Sequence, residues 1–247
     1  MSRNIRINLM YDGTAYHGFQ RQKNGITIQE CLETAIKKLT GEEVNLIGCG
    51  RTDAGVHAIN YTANFLSETK VPAERLPLAL NAYLPPDIRV FSAEDVPLDF
   101  HARFSAVGKT YIYRIVTGNV YNVFLKNYSW FYPGKLDFEE MKKAALPFWG
   151  THDFKAFMAT GSPRKSTVRT VKELKVTKKS EDEIEIEITA DGFLYNMVRI
   201  IAGTLLYAGC GKIKADDIPS IIESGERVRA GITAPPEGLA LKQTYYE

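Results

Sequence analysis

Cysteine and histidine are scarce in this 247-residue chain, and each scarcity excludes a class of chemistry. The three cysteines, Cys31, Cys49 and Cys210, form no Cys-x-x-Cys pair, which argues against a disulfide framework or a zinc ribbon. An odd, sparse set suits a reducing compartment, so the chain is expected to be cytoplasmic. The four histidines, at 17, 57, 101 and 152, are scattered without a His-x-x-x-His spacing, and no metal site is expected. Long apolar runs are missing too. The longest uncharged run near the C-terminus, Ile200 to Gly211, falls short of the ~20 residues that span a bilayer. The opening MSRNIRINLMYDG has no apolar stretch of signal-peptide length. No membrane partner is therefore expected. Neither charge sign dominates: 31 Lys plus Arg stand against 29 Asp plus Glu, a net +2. A polycation is excluded, but net charge does not say where the charge sits.

What is present is an ordinary globular balance, with 45% hydrophobic and 24% charged residues. At ~150 residues per domain, the length suits one large or two small domains. Ile5 to Met10 reads as a strand running into the turn Tyr11-Asp12-Gly13. Thr27-Ile28-Gln29-Glu30 is a capping box. The helix behind it sets Ile28, Leu32, Ala35, Ile36 and Leu39 on one face, and Gly41 stops it. Val44 to Ile47 and Ala58 to Leu66 read as strands, and residues 73–82 as a helix ending before Pro85-Pro86. The second part has a strand at Thr110 to Val116, a helix at Asp137 to Leu146 and a hairpin of Val168–Thr177 with Glu183–Thr189. Ile184, Ile186 and Ile188 alternate there with glutamates, the period of a half-buried strand. Phe193 to Ala208 reads as an apolar helix. The pattern predicts an α+β fold: two similar βαβ-like halves with mainly antiparallel strands, 1–105 and 106–247, sharing one mixed sheet with helices packed on it and a catalytic cleft between the halves.

Charge is strongly segregated along the chain. Residues 101–135 hold five Lys or Arg, no Asp or Glu, and nine aromatics. Residues 161–179 carry seven basic residues and one acid, and 180–191 then carry six acids and no base. Cations interleaved with aromatics suit nucleic acid, because they pair with phosphates and stack on unpaired bases. Two solvated faces around an aromatic core would give the same composition.

The loop 48–57, Gly-Cys-Gly-Arg-Thr-Asp-Ala-Gly-Val-His, carries the most chemistry. It lacks the third glycine and the following helix of a dinucleotide fingerprint, and the Gly-Lys-Ser/Thr of a phosphate-binding P-loop, so no nucleotide cofactor is expected. What is left is Asp53 as a carboxylate catalyst with Arg51 as a binding cation, or a turn aspartate beside a surface arginine. Spacing alone favours the plainer reading.

Seven collinear blocks change that weighting. Gly50-Arg51-Thr52-Asp53-Ala54-Gly55-Val56-His57-Ala58 resembles the signature of the TruA family of tRNA pseudouridine synthases. Tyr11 to Gln22 is similar to the family's opening block, with Phe19 where the family usually has Trp. Asn81 to Ile88, Phe100 to Ala106, Lys109 to Tyr113, Phe193 to Gly203 and Ala234 to Leu239 also resemble family blocks, in family order. The resemblance implies isomerisation of uridine to pseudouridine at positions 38, 39 and 40 of the tRNA anticodon stem and loop. It implies a homodimer that holds tRNA in basic clefts, for which 101–135 and 161–179 are candidates. Because nothing is oxidised or added in the reaction, no cofactor is implied.

The resemblance also assigns roles. Asp53 matches the catalytic aspartate, which stabilises positive character at C1′, attacks there or removes a sugar proton. A carboxylate in a water-poor pocket tends to protonate, and a fixed cation opposes this. At ~4 Å and an effective dielectric of about 20, an ion pair supplies roughly 4 kcal/mol before desolvation, equivalent to about three pKa units. Arg199 matches the arginine that pairs with this aspartate. Tyr111 matches the tyrosine that packs on the target base, and Arg51 is expected to contact RNA beside the extruded uridine. Two other readings stay open: a non-catalytic RNA-binding protein, and a glycosylase using Asp12 as a second carboxylate.

Overall fold

The computed structural model describes residues 2–159, 161 and 166–247. It is an α+β protein that divides into two compact units, Met1–Val107 with Ala240–Glu247, and Gly108–Leu239. The first boundary lies two residues beyond the expected 105. The last eight residues belong to unit 1 rather than to the second half.

In unit 1, strand β1 (Arg3–Tyr11) buries Ile5, Ile7 and Leu9 completely on one face and turns Arg6, Asn8 and Met10 to the other. Helix α1 (Ile28–Thr40) starts as its capping residue dictates. Thr27 Oγ1 accepts from Glu30 N–H, and Gly41 closes the other end at φ 78°. The anticipated strand at 44–47 shrinks to β2 (Ile47–Gly48). Helix side chains have taken its backbone groups: Gln29 Nε2 donates to Leu46 O, and Leu46 N–H donates to Glu33 Oε1. Strand β3 (His57–Ser67) runs antiparallel to β1, from Arg3 opposite Ser67 to Tyr11 opposite Ala58. A 3₁₀ turn at Ala73–Arg75 leads into α2 (Leu76–Asn81). Strand β4 (Ile88–Val96), absent from the sequence reading, pairs with the other edge of β1. Asn81 ties it to α2, donating to Val90 O and accepting from Val90 N–H.

Unit 2 is built on β5 (Ala106–Gly118), most of which lies within it. β6 (Trp130–Pro133) adds in parallel to its C-terminal half. Helix α3 (Phe138–Ala145) is capped by Asp137, whose carboxylate accepts from Glu140 N–H. The short β7 (Gly150–Asp153) borders β8 (Val168–Lys178). The expected hairpin forms: β8 pairs with β9 (Glu183–Ala190), which pairs antiparallel with β5. Helix α4 (Met197–Gly209) begins four residues later than its apolar run suggests, because Asn196 adopts a left-handed φ of 60° and cannot continue a helix backwards. Helix α5 (Ile218–Ser224) follows, and β10 (Leu239–Tyr246) returns to lie parallel to β3, with Ala240 opposite His57.

The hairpin also redistributes the charge blocks. β8 is basic and β9 acidic, and their register sets Lys175 opposite Glu187 and Thr177 opposite Glu185. Lys179 Nζ lies 2.9 Å and Arg114 Nε 3.2 Å from Glu185, and Lys175 pairs with Glu173 at 2.5 Å. Burial pushes the Glu185 carboxyl up, but hydrogen bonds from Lys179 and Arg114 outweigh it and hold it below the usual carboxylate range. Two of the seven basic residues of the block at 161–179, Lys175 and Lys179, are thus paired with acids of its own hairpin. Ser162, Pro163, Arg164 and Lys165 of that block lie outside the described residues.

Candidate active site

Unit 1 joins two of the blocks that stand apart in sequence. The loop carrying Asp53 is held along its length by the opening block 11–19. Tyr11 Oη and Thr52 Oγ1 are 2.8 Å apart. Phe19 N–H donates to Thr52 O, and Gly55 N–H to Tyr16 O. His57 Nδ1 lies 3.0 Å from Gly13 N and 3.2 Å from Asp12 Oδ1. The ring accepts from Gly13 N–H and is thereby tied to the opening block.

Two glycines permit this approach. A Cβ on Gly13 would sit 2.0 Å from Val56 O, and one on Gly18 would sit 2.3 Å from Thr52 O. The near end of the loop is fixed from β3, where the Tyr61 hydroxyl donates to Gly50 O. Phe19, the departure from the family's usual Trp, stacks on Tyr61 with centroids 4.2 Å apart. Tyr16 donates to Asp87 Oδ1 at 2.6 Å, and burial together with that bond raises its pKa well above the usual tyrosine value.

On this frame Asp53 is half-buried, its carbonyl accepting from Val56 N–H, while Arg51 is exposed. Cys49 is fully buried and accepts from Thr244 Oγ1, the behaviour of a packing residue. Asp12 Oδ1 accepts from both the N–H and the hydroxyl of Thr14, as a turn carboxylate does. That employment does not suit a second acid catalyst.

Unit 2 gathers the other candidates. Tyr111 lies on β5, 9% exposed, with the ring of Phe193 edge-on at 5.1 Å. Phe193 is free to meet it because α4 has not yet begun. Arg199, in the first turn of α4, is oriented by two bonds: Nε donates to Ala234 O at 2.7 Å, and Nη1 to Asn196 Oδ1 at 3.0 Å. The left-handed Asn196 therefore both delays the helix and holds the arginine. The chain at 231–234 approaches α4 because neither Gly203 nor Gly231 has a side chain. A Cβ on Gly203 would meet Ile232 O at 2.0 Å, and one on Gly231 would meet Thr204 N at 2.5 Å. Tyr113 is fully buried and donates to Pro235 O at 2.8 Å. Burial, with Glu237 nearby, raises its pKa far above the usual value, and Arg199 only partly offsets this. The phenol stays neutral.

Sequence reasoning gave His57 no role, and it passed over Asn196. The signal for His57 was its place in the same block as Asp53, four residues after it. No local signal marks Asn196, whose role depends on a backbone angle. Among the described residues, no helix is long and apolar enough to cross a membrane.

Comparison with known proteins shows the family of the chain. The model of a family described as tRNA pseudouridine synthase matches residues 8–105 and 144–247, leaving out the stretch with Tyr111. A tRNA pseudouridine synthase A from Thermoanaerobacter sp. (strain X514) is 57% identical over 244 residues, 99% of this chain and 100% of its own. Its namesake from Acetivibrio thermocellus is 51% identical over 245 residues, again 99% of this chain and 100% of its own. Among solved structures, the crystal structure of a Cbf5-Nop10-Gar1 complex gives a TM-score of 0.38 at 13% identity, covering 96% of this chain and 48% of that one. The chain belongs to the tRNA pseudouridine synthases of the TruA type, enzymes that isomerise uridine to pseudouridine.

Proposed function

We propose that this enzyme acts on uridines 38, 39 and 40 of the tRNA anticodon stem and loop, with Asp53 as its catalytic carboxylate. The observation that carries the assignment is the clamping of the Asp53 loop by the opening block, through Gly13, Tyr16, Phe19 and His57. Catalysis gains most from groups held in place before the substrate arrives.

In the reaction, the bond between N1 and C1′ breaks, the uracil turns, and C5 bonds to C1′. The C5 hydrogen leaves as a proton and N1 gains one, so atoms and electrons balance without an oxidant. Asp53 acts beside C1′, where positive character develops. Tyr111 packs on the base, and its contact with Phe193 supports the ring from the side. Arg199 is the substrate-binding cation of unit 2, its guanidinium directed by bonds to Asn196 and Ala234. Arg51, exposed on the same loop as Asp53, meets the RNA and helps hold the uridine out of its stack. The working form is a cytoplasmic homodimer that needs no cofactor.

The test is release of tritium from tRNA labelled at uridine C5. Wild-type protein is expected to release it and Asp53→Asn is not, while both bind the tRNA alike. Substituting cytidine at 38, 39 and 40 together should abolish release. Continued release from that triple-substituted tRNA would overturn the positional assignment, and release by Asp53→Asn would overturn the role of Asp53.

A further inference from the structure

We propose that Phe104 and Arg103 form a preformed stacking platform for an unpaired base of the tRNA substrate. The inference rests on the tRNA reading above and assigns a binding role to the block Phe100 to Ala106, which the isomerisation chemistry does not use.

Phe104 is 74% exposed, an unusual position for a ring that unit 1 takes such care to fix. The turn carrying it is bonded internally. His101 Nδ1 accepts from the backbone N–H of both Arg103 and Phe104. Ser105 N–H donates to His101 O, and His101 N–H to Ser105 Oγ.

The turn is also anchored to the sheet. Asn64 Oδ1 accepts from Ala102 N–H, and Asn4 Nδ2 donates to Phe100 O. These two asparagines are buried and bonded to each other. The Tyr246 hydroxyl donates to Ala102 O at 2.7 Å. A side chain that merely failed to find the core would not stand on so fixed a support.

The ring's own neighbours point to the ligand. The imidazole of His101 lies 4.3 Å from the Phe104 centroid, and the Arg103 guanidinium lies 5.4 Å from it. Residues 100–136 contain no Asp or Glu, so the stretch after the turn brings no acid to repel a phosphate. An exposed aromatic with a cation beside it, on a rigid support, is the arrangement that stacks single-stranded bases. Because the support is already ordered, little conformational freedom is lost on binding.

The experiment compares wild type with Phe104→Ala, Phe104→Leu and Phe104→Trp, using tRNA and a fully paired RNA hairpin of similar length as probes. Phe104→Ala and Phe104→Leu are expected to weaken tRNA binding and raise KM by about five- to a hundredfold. Release of tritium at saturating tRNA stays at the wild-type rate, and Phe104→Trp restores affinity. Binding of the paired hairpin is the same for all four proteins. Unchanged Kd and KM in Phe104→Ala would overturn the platform, as would rescue by Leu equal to rescue by Trp. A lower dimer fraction on sedimentation with unaltered tRNA affinity would assign the ring to a second copy of the chain and overturn it too. Wild-type protein in the same assay separates the two readings. If it releases no tritium, the functional reading fails; if it does and the variants match it, only the platform fails.

Discussion

Replacing Gly13 by alanine tests whether the opening block positions Asp53. The added Cβ would lie 2.0 Å from Val56 O and 2.6 Å from Val56 C. An ordinary carbon–oxygen contact is about 3.3 Å, so the block and the loop must separate by roughly 1.3 Å. The obstacle is backbone, which cannot swing aside as a side-chain tip can. The same block holds Thr52 through Tyr11 and Phe19 on one side of Asp53 and Gly55 through Tyr16 on the other. The displacement therefore reaches the carboxylate. A misplacement of about 1 Å costs roughly a hundredfold in rate, and overpacking costs about 1–3 kcal/mol of stability. For a chain of this size that is a Tm decrease of roughly 2–12 °C. Gly13 is not among the glycines at positive φ. In open space alanine there would instead stabilise by about 0.4–1 kcal/mol, through the unfolded chain. The sign of the Tm change alone thus reports whether the contact exists. The assay is single-turnover tritium release well below Tm, beside thermal unfolding and tRNA binding. A raised Tm would refute the contact. A lowered Tm with a wild-type rate would refute the coupling of the block to Asp53.

Arg199→Lys keeps a cation and loses the two-pronged hold on Ala234 O and Asn196 Oδ1. Stability should fall by about 1.5–3 kcal/mol, read as Tm, and tritium release should fall while tRNA affinity stays near wild type; an unchanged release rate would show that the arginine's orientation is immaterial. Glu185 titrates below its usual value because Lys179 and Arg114 outweigh its burial. A carboxyl lowered in the folded state contributes stability above its unfolded pKa of about 4.3 and loses it as pH falls through the lower folded value. Glu185→Gln should therefore unfold at lower urea than wild type near neutral pH, with the gap closing in acid. A gap independent of pH would exclude the ion pairs as its source.

The elements that the sequence revealed were those whose signals are local. Glutamates alternating with Ile184, Ile186 and Ile188 mark β9, and Thr27 with Gly41 brackets α1. The elements it concealed depend on distant partners. β10 is a strand that meets β3 at His57 and Ala58, 183 residues earlier in the chain. β4 shows alternation only at Ile88 and Val90, and its partner is the far edge of β1. The strand expected at 44–46 fails for the converse reason: Gln29 and Glu33 take the backbone groups of Leu46 that a neighbouring strand would have used. Charge behaved likewise. A block of +6 beside a block of −6 in sequence looked like two faces, but a hairpin sets such blocks side by side.

The candidate site was legible only through resemblance, and the structure gives the physical reason. Spacing offered Asp53 as one more turn aspartate because a loop of this length has few hydrogen bonds of its own; Val56 N–H to Asp53 O is one of them. Its rigidity is borrowed from a segment some forty residues earlier, through backbone contacts that Gly13 and Gly18 permit and through the side chains of Tyr11 and His57, whose partners lie far off in sequence. Arg199 follows the same logic in unit 2. An arginine beside Val198 and Ile200 is unremarkable until Asn196 takes a left-handed turn and Gly203 lets Ala234 come near enough to accept from it. In both units the candidate side chain is an ordinary residue, and what distinguishes its surroundings is a glycine-permitted approach of another backbone. The residues to mutate when asking how this enzyme is positioned are therefore Gly13, Gly18 and Gly203, where a single methyl group separates positioning from chemistry.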